Sequence, residues 1–179
     1  MGAHDHRHPH EHRHEHRHEH GHPQEHTHEH TRERHGNMTL PGATAVTNIV
    51  EGPITPHDAA PTVEDGAALT FAGHVRDTEH GREIVSLDYE YYEGMAQVEL
   101  QALAEDTLRR FPVRRLQCTH RVGRVPVGEA ALLVTVHSPH RAEGLAAVAW
   151  FIRELKDRVP IWKWAVTPDG ERFPAPCSH

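Results

Sequence analysis

Residues 130–166 read AALLVTVHSPHRAEGLAAVAWFIRELKDRVPIWKWAV. The first nine form a near-continuous apolar run, the pattern of a central strand. Ser138-Pro139 then reads as a helix start, with Ser as N-cap and Pro at the first helical position. The helix is expected to run to about residue 158 and to end before Pro160. Ala142, Leu145, Ala146, Ala149, Ile152 and Leu155 give it a buried stripe near the 3.6-residue period. Residues 160–166 then read as a strand, so the stretch is strand, helix, strand.

Working outward, Pro168-Asp-Gly170 is a turn into a short final strand at Arg172-Phe173. Towards the N-terminus, residues 115–122 read as a further strand, joined to the 130–138 strand through the linker 123–128. Residues 94–111 read as a second helix with Met95, Val98, Leu103 and Leu108 on its apolar side. Arg109 and Arg110 sit in its last turn, where cations suit the helix dipole, and Pro112 stops it. Residues 84–92 alternate, with Val85, Leu87, Tyr89 and Tyr91 on one face. Residues 76–82 are a polar loop, and 67–75 and 47–51 are strands. Pro53, Pro56 and Pro61 leave room for little more than one helical turn between those two. The order β, β, β, α, β, β, α, β, β places strand pairs around single helices. That predicts an α+β fold, two main helices packed on antiparallel or mixed strands, and not a doubly wound parallel sheet.

The chain has 179 residues and 21 histidines, 14 of them before Asn37. Residues 1–36 contain no Val, Ile, Leu, Phe, Trp, Tyr or Cys and cannot bury a core, so a disordered His-rich tail is expected. Residues 37–179 form the folded domain, with a core at about 47–173. His4, His6, His8, His10, His12, His14, His16, His18 and His20 alternate with charged residues or proline. Imidazoles at this density predict weak, adventitious Zn or Ni binding without a fixed coordination shell. No metal or cofactor is expected in the core. The formal charge of −7 argues against a nucleic-acid partner, which needs a basic face. No apolar run reaches a membrane span and no secretory h-region is present, so neither membrane nor export is expected. Cys118 and Cys177 form no CxxC or zinc spacing, which fits a reducing, cytoplasmic setting. Cys118, mid-strand, reads as a buried and inert thiol.

Nucleotide-binding glycine motifs and the GxSxG nucleophile elbow are lacking. The chemistry rests instead on basic residues at element ends. His140 and Arg141 fall in the first turn of the long helix, where free N–H groups and the positive dipole end suit a phosphate or carboxylate; an ordinary surface salt bridge would explain Arg141 equally well. Lys156 lies in the last turn of that helix, an ordinary place for a surface lysine. Lys163, flanked by Trp162 and Trp164, is less ordinary, because partial desolvation favours nucleophilic or acid–base work. Arg76 ends a strand where it meets a loop. Together these cations suggest one anionic ligand.

Several collinear stretches resemble one family: Phe71-Ala-Gly-His-Val-Arg76, Tyr89-Glu-Tyr-Tyr-Glu-Gly-Met95, His120-Arg-Val-Gly123, His137-Ser-Pro-His-Arg141 and Leu155-Lys-Asp-Arg-Val-Pro-Ile-Trp-Lys163. In these the chain is similar to the catalytic (large) subunit of molybdopterin synthase, the MoaE family. The resemblance implies an α/β-hammerhead-like fold and a sulfurtransferase of molybdenum cofactor biosynthesis. Sulfur would arrive as a thiocarboxylate on the C-terminal Gly-Gly of a small ubiquitin-like carrier subunit of MoaD type. It would be installed on cyclic pyranopterin monophosphate (precursor Z) as a dithiolene. The assembly implied is a homodimer within a heterotetramer.

By position, the resemblance assigns substrate contact to His74, Val75, Arg76, His140, Arg141, Lys156, Lys163, Trp164 and Ala165, and catalysis to Lys156 and Lys163, with Lys156 facing the thiocarboxylate. Many relatives carry a basic residue and then a glutamate where Trp164 and Ala165 stand here; Glu171 is a candidate to replace that carboxylate. His140 and Lys156 are 16 residues apart on one helix, roughly 24 Å along its axis. A shared pocket therefore needs His140 and Arg141 from a second subunit. Two other readings stay open at this level: an inactive paralogue that only binds the small subunit, motivated by Ala165, and a His-rich metal-binding protein on the same scaffold, motivated by the tail.

Overall fold

In the computed structural model, residues 36–58 and 60–175 are described; the His-rich tail and Cys177 lie outside them. Among the described residues, nine strands and two helices follow the expected order, with one added hairpin. They are β1 (Thr44–Glu51), β2 (Ala67–His74), β3 (Thr78–Glu79), β4 (Arg82–Glu83), β5 (Ser86–Tyr91), α1 (Met95–Arg110), β6 (Arg115–Pro126), β7 (Ala130–Ser138), α2 (Arg141–Arg158), β8 (Ile161–Val166) and β9 (Arg172–Pro174). Seven strands form one sheet in the order β2-β7-β6-β5-β8-β9, with β1 added on β6. Only the β1–β6 pair is parallel, so the sheet is mixed and the α+β expectation holds. None of the described helices is long and apolar enough to cross a membrane.

β7 lies inside the sheet, between β2 and β6, as its apolar run requires. β6 is longer than expected. Residues 115–122 pair with β1, and beyond Gly123, at φ +73°, residues 123–126 pair with β5 instead of forming a linker. The two helices pack on each other and against the sheet. Leu100, Leu103, Phe151, Leu116, Val134 and Val136 fill the layer between, each such buried side chain contributing roughly 1.5–3 kcal/mol. Arg158 ties the helix ends together by donating to Asp106 at 2.8 Å. The opposite sheet face is polar at Thr119 and Thr135. His57, from the proline-rich segment, bridges both hydroxyls at 3.0 and 2.9 Å.

Three local expectations are corrected. α2 starts at Arg141 with His140 as N-cap, not at Pro139. Ser138 is still paired with Ala67 in the β2–β7 ladder, and its hydroxyl donates to the His140 carbonyl at 2.8 Å. The helix stripes are also shifted. α1 buries Ala96, Leu100, Leu103, Ala104, Thr107 and Leu108, while Met95 and Val98 are 52% and 65% exposed. α2 buries Gly144, Ala147, Phe151 and Leu155, leaving Ala142, Leu145, Ala146 and Ala149 outward. Phe151 is the largest side chain wholly inside the protein, and its burial sets the rotation of α2. Finally, Val85 is exposed and the 76–82 loop contains the β3–β4 hairpin.

Candidate active site

A cavity of about 330 Å³ opens between the C-terminal end of α2 and the sheet. Its cations come from separate elements. Lys156 projects from the last turn of α2, Lys163 from β8, and Arg76 from the segment after β2. His74 joins them at a bulge in β2, where the β2–β7 register shifts between Gly73 and His74; bulges re-aim side chains in this way. These four residues of the expected site therefore share one cavity. They are also the setting of every lysine in the chain, which contains 17 arginines but only Lys156 and Lys163. Where charge alone suffices this sequence uses arginine, so an amine at these two positions points to chemistry that a guanidinium cannot do.

The other expected residues are placed elsewhere. Val75 and Ala165 are buried in the second apolar cluster with Ile84, Leu87 and Val125. Trp164 lies on the other face of β8, donating its indole N–H to Glu90 at 3.2 Å, with Arg172 over its ring. Glu171 pairs with Arg82 and does not line the cavity, so it does not supply the carboxylate considered for it. His140 and Arg141 are at the far end of α2, and neither side chain makes an ion pair among the described residues. The surface salt bridge considered for Arg141 is not formed among the described residues.

Three polar lining residues escaped the sequence reading of the site: Glu79, Tyr89 and His120. Glu79 is only 7% exposed and lies 3.5 Å from Lys163 Nζ and 3.8 Å from Arg76 Nη2. With one carboxylate against Arg76, Lys156 and Lys163, the cavity keeps an excess of positive charge in an acidic protein. His120 is buried and packs edge-on to Tyr89, ring centroids 5.3 Å apart. Burial pushes its imidazole down to a pKa of about 4, against a smaller opposing effect of the Arg121 carbonyl. A carbonyl can only accept, so Nδ1–H donates to it at 2.9 Å and Nε2 is left as the acceptor. Cys118 is free and buried, and burial pushes its thiol up, which fits the inert reading. Among the described residues no group of three or more His, Cys, Asp or Glu is placed to hold a metal ion. The available signals were the lysine count and the His120-Arg-Val-Gly123 motif; nothing local marks Glu79.

Known proteins share both sequence and shape with this chain. Molybdopterin synthase catalytic subunit from Pyrococcus abyssi (strain GE5 / Orsay) is 42% identical over 106 residues, 59% of this chain and 72% of that protein. The Bos taurus protein of the same name is 44% identical over 98 residues, 55% of this chain and 52% of its own length. The match thus spans about half of the mammalian relative. The crystal structure of molybdopterin synthase from Staphylococcus aureus superposes with a TM-score of 0.65 at 30% identity, covering 73% of this chain and 96% of that one. A complex of subunits 1 and 2 of molybdopterin-converting factor from Helicobacter pylori matches with a TM-score of 0.52 at 25% identity, covering 63% and 73%. The family model described as MoaE protein matches residues 49–158, a span that includes His74, Arg76, His120 and Lys156 of the cavity, and the chain belongs to that family.

Proposed function

We propose that the chain is the catalytic subunit of a molybdopterin synthase in molybdenum cofactor biosynthesis. It transfers sulfur from the C-terminal thiocarboxylate of a separate ubiquitin-like carrier to cyclic pyranopterin monophosphate, forming the dithiolene. The observation that carries this reading is the convergence of the chain's two lysines with Arg76 in one cavity. Arg76 would hold the anionic pterin phosphate, with the Lys163 amine beside it serving the reaction. Lys156, exposed at the cavity's edge and without an ion pair among the described residues, would meet the carrier's thiocarboxylate. The two-subunit complex among the solved relatives supports a small-subunit partner. The apolar face that α2 leaves outward supports a homodimer inside the full assembly. A cytoplasmic setting belongs to the same reading, supported by the free Cys118. The His-X-His run binds Zn or Ni loosely and takes no part in the reaction.

The test is reconstitution with thiocarboxylated carrier and cyclic pyranopterin monophosphate, scoring dithiolene product. The parent chain should turn over, and removal of residues 1–36 in metal-free buffer should leave the rate nearly unchanged. Lys156→Ala should lower the rate by about 100-fold or more, the usual contribution of a positioned proton-transfer group or nucleophile. Lys156→Arg should not recover it, because a guanidinium neither gives up its proton nor acts as a nucleophile at neutral pH. A parent chain that forms no product overturns the functional reading. Full activity in Lys156→Arg overturns the role given to Lys156.

A further inference from the structure

Among the described residues, Glu79 is the one acid lining a cavity whose other charged groups are cations. A buried carboxylate is costly unless it is paired, and in an anion-binding pocket it also competes with the ligand. Its two oxygens are divided among the neighbouring basic side chains. Oε1 lies 3.5 Å from Lys163 Nζ and 3.7 Å from His80 Nε2, and Oε2 lies 3.8 Å from Arg76 Nη2.

The local backbone is built to deliver this side chain. Glu79 ends β3, and the β3–β4 turn passes through His80 at φ +50° and Gly81 at φ +76°. Two consecutive left-handed residues are the signature of the tight turn that closes a two-residue hairpin loop. Strands of two residues each cannot hold such a hairpin by themselves. It is fastened from outside the cavity: Arg82 pairs with both oxygens of Glu171 and lies 4.4 Å over the Phe173 ring. The Ile84 N–H bonds the Asp77 carbonyl at 2.9 Å, and Ile84 itself is buried. β8 offers Lys163 no acid of its own. Two residues along the same face stands Ala165, wholly buried among apolar side chains.

From this geometry we infer that Glu79 is a positioning residue for the sulfur-transfer reaction, holding Lys163 and Arg76 in place on the cavity wall. The inference rests on the functional reading above. It makes the two lysines unequal. Lys163 is fixed by a carboxylate on a fastened hairpin, while Lys156 makes no ion pair among the described residues and stays available to the incoming carrier.

The test uses Glu79→Gln and Glu79→Asp in the full chain, with two readouts. The first needs no turnover. Because Lys156 and Lys163 are the only lysines, limited acylation followed by peptide mass spectrometry reports the reactivity of each. An ammonium gripped by a carboxylate reacts slowly, so Glu79→Gln should raise the Lys163-to-Lys156 labelling ratio about tenfold, and Glu79→Asp should restore part of the difference. The second is kinetic. Glu79→Gln should lower kcat about tenfold, change KM for the pterin less than threefold, and cost nothing further in a Lys163→Ala background. An unchanged labelling ratio overturns the inference, as does a Glu79→Gln loss that simply multiplies with that of Lys163→Ala. A parent chain without synthase activity would overturn the functional reading alone, because the labelling ratio still decides the role of Glu79.

Discussion

At the scale of single residues, His120 ties the site to the stability of the protein. Its pKa is pushed down to about 4 by burial, against roughly 6.5 for an unfolded chain. Above pH 6.5 the imidazole is neutral in both states and contributes no pH dependence. Between pH 6.5 and 4 the unfolded chain takes up a proton that the folded chain refuses. Folding stability must therefore fall as the pH is lowered through that window, by on the order of 3 kcal/mol in full. Burial lowers the His57 pKa in the same direction. Asp65 acts at lower pH: burial would raise its pKa, but the bonds from Thr62 and the nearby His137 outweigh that and lower it. Urea unfolding at pH 7, 5.5 and 4.5 should show the decline, and His120→Gln should remove most of it; an equal slope in the variant would exclude His120 as the source. The sequence made Lys156, Lys163 and Arg76 legible because each stands at the end of an element or in a distinctive context. His120 sat inside a motif that carried the family resemblance, yet its role depends on burial, which only the packed sheet provides. Glu79 was invisible because its partner Lys163 comes from β8, and no local pattern encodes an ion pair across elements.

At the scale of elements, the type and order of both helices and of seven strands could be read directly, because prolines and glycines punctuate them; the β3–β4 hairpin, hidden in a polar stretch, could not. The rotation of each helix could not. α2 carries two apolar stripes, one through Ala142, Leu145 and Ala149 and another through Ala147, Phe151 and Leu155. Periodicity alone does not choose between them; volume does, since Phe151 needs the core and Leu145 is left 58% exposed. The join of β2 to the β7–α2 corner shows a similar limit. Gly66 stands directly before β2, and the physical reason for a glycine there is a close approach. A Cβ there would stand 2.1 Å from the Pro139 carbonyl oxygen, a backbone atom that cannot swing aside. Gly66→Ala should therefore cost at least about 2 kcal/mol of stability. Gly81→Ala makes a useful contrast. Its φ is +76° but the space beside it is open, so only backbone strain of about 1–2 kcal/mol applies. Chemical denaturation of both variants should rank Gly66→Ala as the more damaging. The reverse order would mean that the corner relaxes freely.

At the scale of the whole molecule, the proposed function asks for residues that lie at opposite ends of α2 in one chain. His140 and Arg141 cap the start of α2 while the cavity lies at its other end, roughly 24 Å away along the axis, farther than a pterin monophosphate reaches. Both stand at a helix start suited to anions and make no ion pair among the described residues. The face of α2 between those ends is apolar and outward, through Ala142, Leu145, Ala146 and Ala149. A two-fold pairing that covered this face could bring the start of one α2 towards the end of its partner's, since an isologous interface applies each contact in both directions. Each pocket would then combine Arg76, Lys156 and Lys163 of one protomer with the partner's His140 and the partner's Arg141. The arrangement has a consequence that no single-chain site shares. Lys156→Ala and Arg141→Ala should each abolish most activity alone, but an equal mixture with free subunit exchange should recover about a quarter of the parent rate. Half of the dimers would be mixed, and in each of these one pocket carries both defects and the other neither. Exchange can be verified independently by mass-tagged subunits. If exchange is complete and the mixture stays inactive, the two ends of α2 do not serve one substrate.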